Sequence, residues 1–249
     1  MLQIKNLTAS VEDKVIISDF NLTINDGEIH VLMGQNGVGK STICKILLKD
    51  ENYNINSGDI IFNGVKLNDL STTEVARLGL YLVNQNPIQI EGVTNAEMLR
   101  TTLSEITGER VGIFEFNKKL ETICENLNIP KSFIHREINV GMSGGERKKN
   151  ELMHLWMLEP KFIILDEIDS GLDVDALKKV CESIKLYHKE FNPSILIITH
   201  HNKILEYLNP SKVHVLAEGK IIKSGDISLA KEIEKNGFNS LNKANIVSE

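Results

Sequence analysis

The octapeptide GQNGVGKS (34–41) follows the apolar run EIHVLM (28–33) and precedes TICKILLKD, which has helical spacing. Strand, glycine loop and helix in that order are what a phosphate-binding loop requires. Its glycines let the chain curl until successive N–H groups point inward at phosphate oxygens, with a lysine for the β and γ groups and a serine hydroxyl for Mg²⁺. The expected nucleotide contacts are therefore Gly34, Gln35, Asn36, Gly37, Val38, Gly39, Lys40, Ser41 and Thr42. KFIILDE (161–167) is an apolar run ending in two acids. At the carboxyl end of a strand, Asp166 is expected to complete a Mg²⁺ shell with Ser41, and Glu167 to orient or deprotonate an attacking water.

GMSGGERKKNELMH (141–154) raises a second question, because Ser143, Gly144 and Gly145 open what reads as a helix. Helix N-termini carry unpaired N–H groups and a partial positive charge, so this is a second anion site in a chain that already has one. Three further elements complete a set. Gln85 follows LYLV and can reach Mg²⁺ or water through its amide; SGLD (170–173) follows the two acids; His200 follows ILIIT and can donate to a γ-phosphate. His201 would point the other way on an extended chain, which makes a histidine metal pair a poor reading.

The order of these segments, from 34–41 through Gln85, MSGGE (142–146), FIILDE (162–167), SGLD and His200, resembles the full motif set of an ABC-type ATPase. The resemblance implies that Lys40, Glu167 and His200 are catalytic and that ATP and Mg²⁺ are the cofactors. It also implies a transient, ATP-dependent head-to-tail dimer, in which the second anion site serves the γ-phosphate held by the other copy. Segments flanking the motifs, among them SVEDKVII, NPIQIEGVTN, NVGMSGGERKKNELM and LEPKFIILDEIDSGLDVDALK, are more closely similar to the ATPase subunits of the SUF iron–sulfur cluster assembly system. That similarity implies SufB/SufD-type scaffold proteins as partners. The alternatives are the ATPase subunit of a membrane transporter and a nucleotide-dependent interaction module without turnover. Two positions depart from the broad pattern: Met142 and Glu146 stand where Leu and Gln are frequent. TASVEDK supplies only Val11 as an apolar contact for the base, where many members of the family have an aromatic ring.

Short Ile- and Val-rich runs alternating with longer helical patterns must position these groups, which predicts an α/β fold with a largely parallel sheet. Strands are expected at 2–7, 28–33, 59–62, 79–83, 161–165, 194–199 and 213–217, with hairpin turns at Asn63-Gly64 and Glu218-Gly219. Between 86 and 142 the strand signals largely stop, and TNAEMLRTTLSEI and FNKKLETICENLN read as amphipathic helices. The expected organisation of 1–249 is a single P-loop domain of ABC ATPase type: a nucleotide-binding core at about 1–85 and 143–225 with an N-terminal antiparallel portion, an inserted helical subdomain at about 86–142, and a helical tail at about 226–249.

A chain of 249 residues with a net charge of −6 and a pI near 5.7 has no footprint for nucleic acid. The one dense basic cluster, Arg147-Lys148-Lys149, reads as a solvated helix face, with an ion pair from Lys148 to Glu167 as the sharper alternative. Cys44, Cys124 and Cys181 have no metal-ligand spacing and read as buried thiols of a reducing compartment. No run approaches membrane-span length, so the expected location is the cytoplasm without direct membrane insertion.

Overall fold

The computed structural model describes residues 1–200 and 202–238. His201 and the last part of the expected tail, 239–249, lie outside the described residues. The first half of the chain runs β1 (Leu2–Val11), β2 (Lys14–Ile24), β3 (Ile29–Met33), α1 (Lys40–Leu47), β4 (Tyr53–Phe62), β5 (Val65–Lys66), α2 (Thr72–Arg77), β6 (Leu80–Val83), β7 (Ile90–Thr94), α3 (Asn95–Thr107) and α4 (Ile113–Asn126). After a 3-10 turn at Lys131–His135 come β8 (Glu137–Ile138), α5 (Gly144–Leu158), β9 (Phe162–Asp166), α6 (Val174–Phe191), β10 (Ser194–Ile198), α7 (Lys203–Leu208), β11 (Lys212–Ala217), β12 (Lys220–Gly225) and α8 (Ile227–Asn236).

The central sheet has the order β12-β11-β3-β10-β9-β6, and all its pairings are parallel except the β11–β12 hairpin. Its inner strands β3, β10 and β9 are buried on both faces, which is why they read as unbroken apolar runs. Val31, Ile163, Leu165, Ile195 and Ile197 face one core with α3 to α6, and Leu32, Phe162, Ile164, Leu196 and Ile198 face the other. That second core is closed by the antiparallel sheet β2-β1-β4-β5 and by α1. Asn63 and Gly64 both take positive φ, 49° and 82°, as a type I′ hairpin between β4 and β5 requires.

Strand β2 was not among the expected elements. It alternates buried and exposed residues from Phe20 to Ile24, but two successive exposed residues, Ser18 and Asp19, break the period where its pairing with β1 shifts register. The 86–142 segment also departs from a purely helical reading: β7 and β8 pair at its two ends and clamp α3 and α4 between them. Capping boxes start α2 (Ser71, Glu74), α3 (Thr94, Glu97) and α5 (Ser143, Glu146). No described helix is long and apolar enough to cross a membrane.

The three cysteines are buried and unpaired. Burial pushes the Cys124 thiol up to about 11 and Cys181 to about 12, and raises Cys44 well above its ordinary value. Two buried histidines join β3 to β11: His214 Nε2 lies 3.1 Å from His30 Nδ1, with Glu28 beyond His30 at 3.0 Å and Ser224 beyond His214 at 2.8 Å. Burial, then the neighbouring His30 and Lys212, push His214 down to about 4. A folded histidine that refuses a proton which the unfolded chain accepts near 6.5 costs stability as pH falls below 6.5, until about 4. Glu151, raised to about 7 by burial, acts in the opposite sense, so the pH dependence of the parent alone is a mixture. Comparing His214→Gln with the parent isolates the histidine: between pH 6.5 and 5.5 the parent should lose about 1 kcal/mol more of its unfolding free energy than the variant. Urea midpoints measured at both pH values check this, and equal losses would remove His214 as the acid-sensitive group.

Candidate nucleotide site

The parallel register decides what meets at the carboxyl edge of the sheet. Ile198 of β10 sits opposite both Leu32 of β3 and Asp166 of β9, and Leu165 sits opposite Val83 of β6. The residues that follow these strand ends are therefore neighbours: the loop 34–41, His200, Glu167 and Gln85. A crevice outside the carboxyl ends of parallel strands is the usual ligand position in open α/β sheets.

The loop turns from β3 into α1 with Gly37 at φ 83° and Gly39 at φ 104°, conformations that L side chains rarely adopt. Gly34 has no such φ, and its constraint is steric: a Cβ there would stand 2.6 Å from the Leu216 carbonyl oxygen. Lys40 curls back over the loop and donates to the carbonyls of Gly34 and Gln35, both at 2.9 Å. It is 5% exposed, and its pKa is lowered by burial against the opposing pull of Glu167 and Asp166. Ser41 Oγ donates to Asp166 Oδ1 at 3.4 Å. Asp166 is held above the usual carboxylate range, first by burial and then by Glu167, with Ser41, Lys40 and Lys148 pulling the other way.

Glu167 sits at φ 45°, an unusual value for a non-glycine residue, and its N–H donates to Ile198 O at 2.8 Å. That turn aims its carboxylate back across the strand ends. Gln85 Nε2 donates to Glu167 Oε2 at 2.8 Å, and His200 Nδ1 lies 3.3 Å from Glu167 Oε1. Behind them Thr199 Oγ1 donates to Asp169 Oδ2 at 3.0 Å, tying the ends of β9 and β10 together. Asp166 and Glu167 both act on Lys40, and Lys148 acts on Asp166 as well. The hydroxyl of Ser41, the carboxylate of Asp166 and the amide oxygen of Gln85 are hard oxygen donors of the kind a Mg²⁺ ion takes.

Ser143, Gly144 and Gly145 stand apart from this cluster, with no hydrogen bond to it among the described residues. Glu146 N donates to Ser143 Oγ at 3.3 Å, Ser143 N to Glu146 Oε2 at 2.8 Å, and Arg136 Nη1 to Glu146 Oε1 at 3.1 Å. The approach to this helix end is open, since a side chain added at Gly144 or Gly145 would meet nothing within 4 Å.

Lys148 corrects the sequence-based expectation on both counts. It is buried, not solvated, and it does not pair with Glu167: its Nζ donates to the carbonyls of Asn84 at 2.7 Å and Gln85 at 3.3 Å. Sequence reading also missed Ile16 and Ile17 of β2, which lie under Gly39 of the loop, because β2 itself was not expected. Asp169 gave a signal only as one more acid after Glu167.

With this geometry in hand, comparison with known proteins places the chain. Residues 17–170 match the ABC transporter family, and the chain belongs to that family as an ATPase of the ABC type. Among its relatives, a probable ATP-dependent transporter SufC of Escherichia coli (strain K12) is 40% identical over 96% of this chain and 97% of its own length. A probable ATP-dependent transporter ycf16 of Cyanophora paradoxa is 42% identical over 99% of this chain and 96% of its own. A probable ABC transporter ATP-binding protein of Streptococcus pyogenes serotype M1 is 42% identical over 96% and 93%. Among solved structures, an ATP-binding cassette dimer in a post-hydrolysis state with ADP and Pi has a TM-score of 0.78 at 21% identity, covering 91% of this chain and 99% of that one. A nucleotide-free cassette from an ABC transporter has a TM-score of 0.76 at 20% identity, with 95% of each chain covered.

The steric argument at Gly34 is directly testable. Gly34→Ala should push the loop off the Leu216 carbonyl, costing on the order of 1–3 kcal/mol of stability and weakening binding of a fluorescent ATP analogue. Unchanged thermal unfolding and unchanged binding would show that the loop absorbs the methyl group.

Proposed function

We propose that this chain is the ATP-hydrolysing subunit of a SUF-type iron–sulfur cluster assembly machinery, using nucleotide-driven dimerisation to remodel a SufB/SufD-type scaffold. The observation that carries the reading is the 40% identity to the SufC relative along 96% of the chain, which extends well beyond the 17–170 stretch common to the wider family. The word transporter in several relatives' names favours a second reading, the ATPase subunit of a membrane transporter. A pull-down from the native host separates the two. Iron- and sulfide-bearing scaffold proteins support the first, and a membrane permease in their place would overturn it.

In the proposed cycle Lys40 leaves its two carbonyls to meet the β- and γ-phosphates, while the N–H groups of Gly34, Gln35, Asn36, Gly37, Val38 and Gly39, followed by Thr42, cradle the chain of phosphates. Ser41, Asp166 and Gln85 would hold Mg²⁺, which would supply positive charge to offset the negative charge of the phosphates. Glu167 orients the attacking water and His200 donates toward the γ-phosphate as charge develops there. Ser143 and the Gly145 N–H of a second copy close the cage from the far side. Each complete site then needs two chains, so hydrolysis depends on association.

Two substitutions test the assignment. Lys40→Ala should abolish phosphate release, and Glu167→Gln should lower it by at least about a hundredfold, the scale of a general-base contribution, while trapping an ATP-bound dimer on size exclusion. Full turnover in either variant, free of contaminating ATPase, removes the mechanism.

A further inference from the structure

Helix α5 begins at the second anion site and runs on beneath the segment that carries Gln85. Lys148, 4% exposed on that helix, makes no ion pair among the described residues. Its ammonium instead bridges two successive carbonyls, Asn84 O and Gln85 O. Burying an ammonium is costly unless its donors are used and a counter-charge is near. Glu151, one turn further along α5, is the leading opposite charge, followed by Asp166 and Asp169. Glu151 in turn faces the Asn84 N–H, so groups on one helix address the Asn84 main chain from both its donor and acceptor sides.

A second linkage reaches the same segment from its other end. Asn150, fully buried on α5, donates to Asn139 Oδ1 at 3.2 Å and to Asn95 Oδ1 at 2.9 Å. Asn139 Nδ2 donates on to the Ile88 carbonyl at 2.8 Å. His154, one turn beyond Asn150, holds the same Asn95 oxygen at 2.6 Å. The segment 84–88 is thus fastened to α5 directly at residues 84 and 85 and through Asn139 at residue 88. From its directly fastened end, Gln85 Nε2 reaches across to Glu167 Oε2.

We propose that Lys148 is a positioning residue that makes the 84–88 segment travel with α5, so that a displacement of the Ser143 end of the helix is delivered to Gln85 and through it to Glu167. The inference rests on the roles assigned to Gln85 and Glu167 above. Helices transmit displacement along their axis with little loss, and Lys148 lies only five residues, about 7.5 Å of rise, from Ser143. Engagement of Ser143 by a second copy's phosphate would then shift Gln85 relative to Glu167 within the same chain. The residue acts through hydrogen bonds to main-chain oxygens and touches neither nucleotide nor water.

A double-mutant cycle with Gln85 tests it, using the full chain. Lys148→Met should lower kcat about tenfold, the scale of losing charged hydrogen bonds to two carbonyls, and leave the Kd for ATP within about twofold. In a Gln85→Ala background, Lys148→Met should have less than about a twofold further effect, because the lysine acts through that glutamine. Lys148→Arg, which keeps charge and donors, should recover most of the loss. Hydrogen exchange of the peptide spanning 84–88 supplies a readout independent of turnover, and it should quicken in Lys148→Met and stay near the parent rate in Lys148→Arg. Multiplicative kinetic effects in the double mutant, or unchanged exchange in a folded Lys148→Met protein, would overturn the proposal. Turnover that survives Gln85→Ala and Glu167→Gln would instead sink the site assignment, and exchange would still decide whether Lys148 grips the segment.

Discussion

Parallel pairing of β3, β10, β9 and β6 is the constraint on which everything else hangs. Each of these strands contributes one chemically active turn, and only because they run the same way in nearly the same register do all four turns leave the sheet at one edge. An antiparallel neighbour inserted among them would send Gln85, Glu167 or His200 to the opposite end of the molecule. The double-sided burial that parallel strands need is supplied by two different coverings, helices on one face and an antiparallel sheet with α1 on the other.

At that edge the electrostatics is a balance among few charges. Asp166 offsets part of the burial cost of both Lys40 and Lys148, after Glu167 for the first and Glu151 for the second. Lys40 donates to two carbonyls of its own loop, and Glu167 has both its oxygens engaged, one by Gln85 and one by His200. The charged groups at this edge are thus paired with one another and with main-chain carbonyls.

Legibility in the sequence followed how local each determinant was. The loop at 34–41 and the acids at 166 and 167 could be read directly, since glycine conformation and strand-end placement are short-range properties. Hairpins at Asn63-Gly64 and Glu218-Gly219 were readable for the same reason. Strand β2 was not, because the irregularity at Ser18 and Asp19 cuts its alternation into two short pieces, and with it went the contact of Ile16 and Ile17 beneath Gly39. Lys148 was misread because a lysine in a basic run gives no sign that its partners are main-chain carbonyls of a segment 63 residues earlier. The asparagines 95, 139 and 150 were equally silent: in a chain rich in asparagine, nothing marks the three that are buried and bonded to one another.

The three sequestered thiols carry a consequence of another kind. Cys44 lies one turn beyond Lys40 on α1, close to the phosphate loop, yet burial keeps it in the unreactive thiol form, as it does Cys124 and Cys181. The thiolate is the species that attacks disulfides, captures soft metals and is alkylated. Disulfide exchange, soft-metal capture and alkylation at these three positions therefore require the fold to open first.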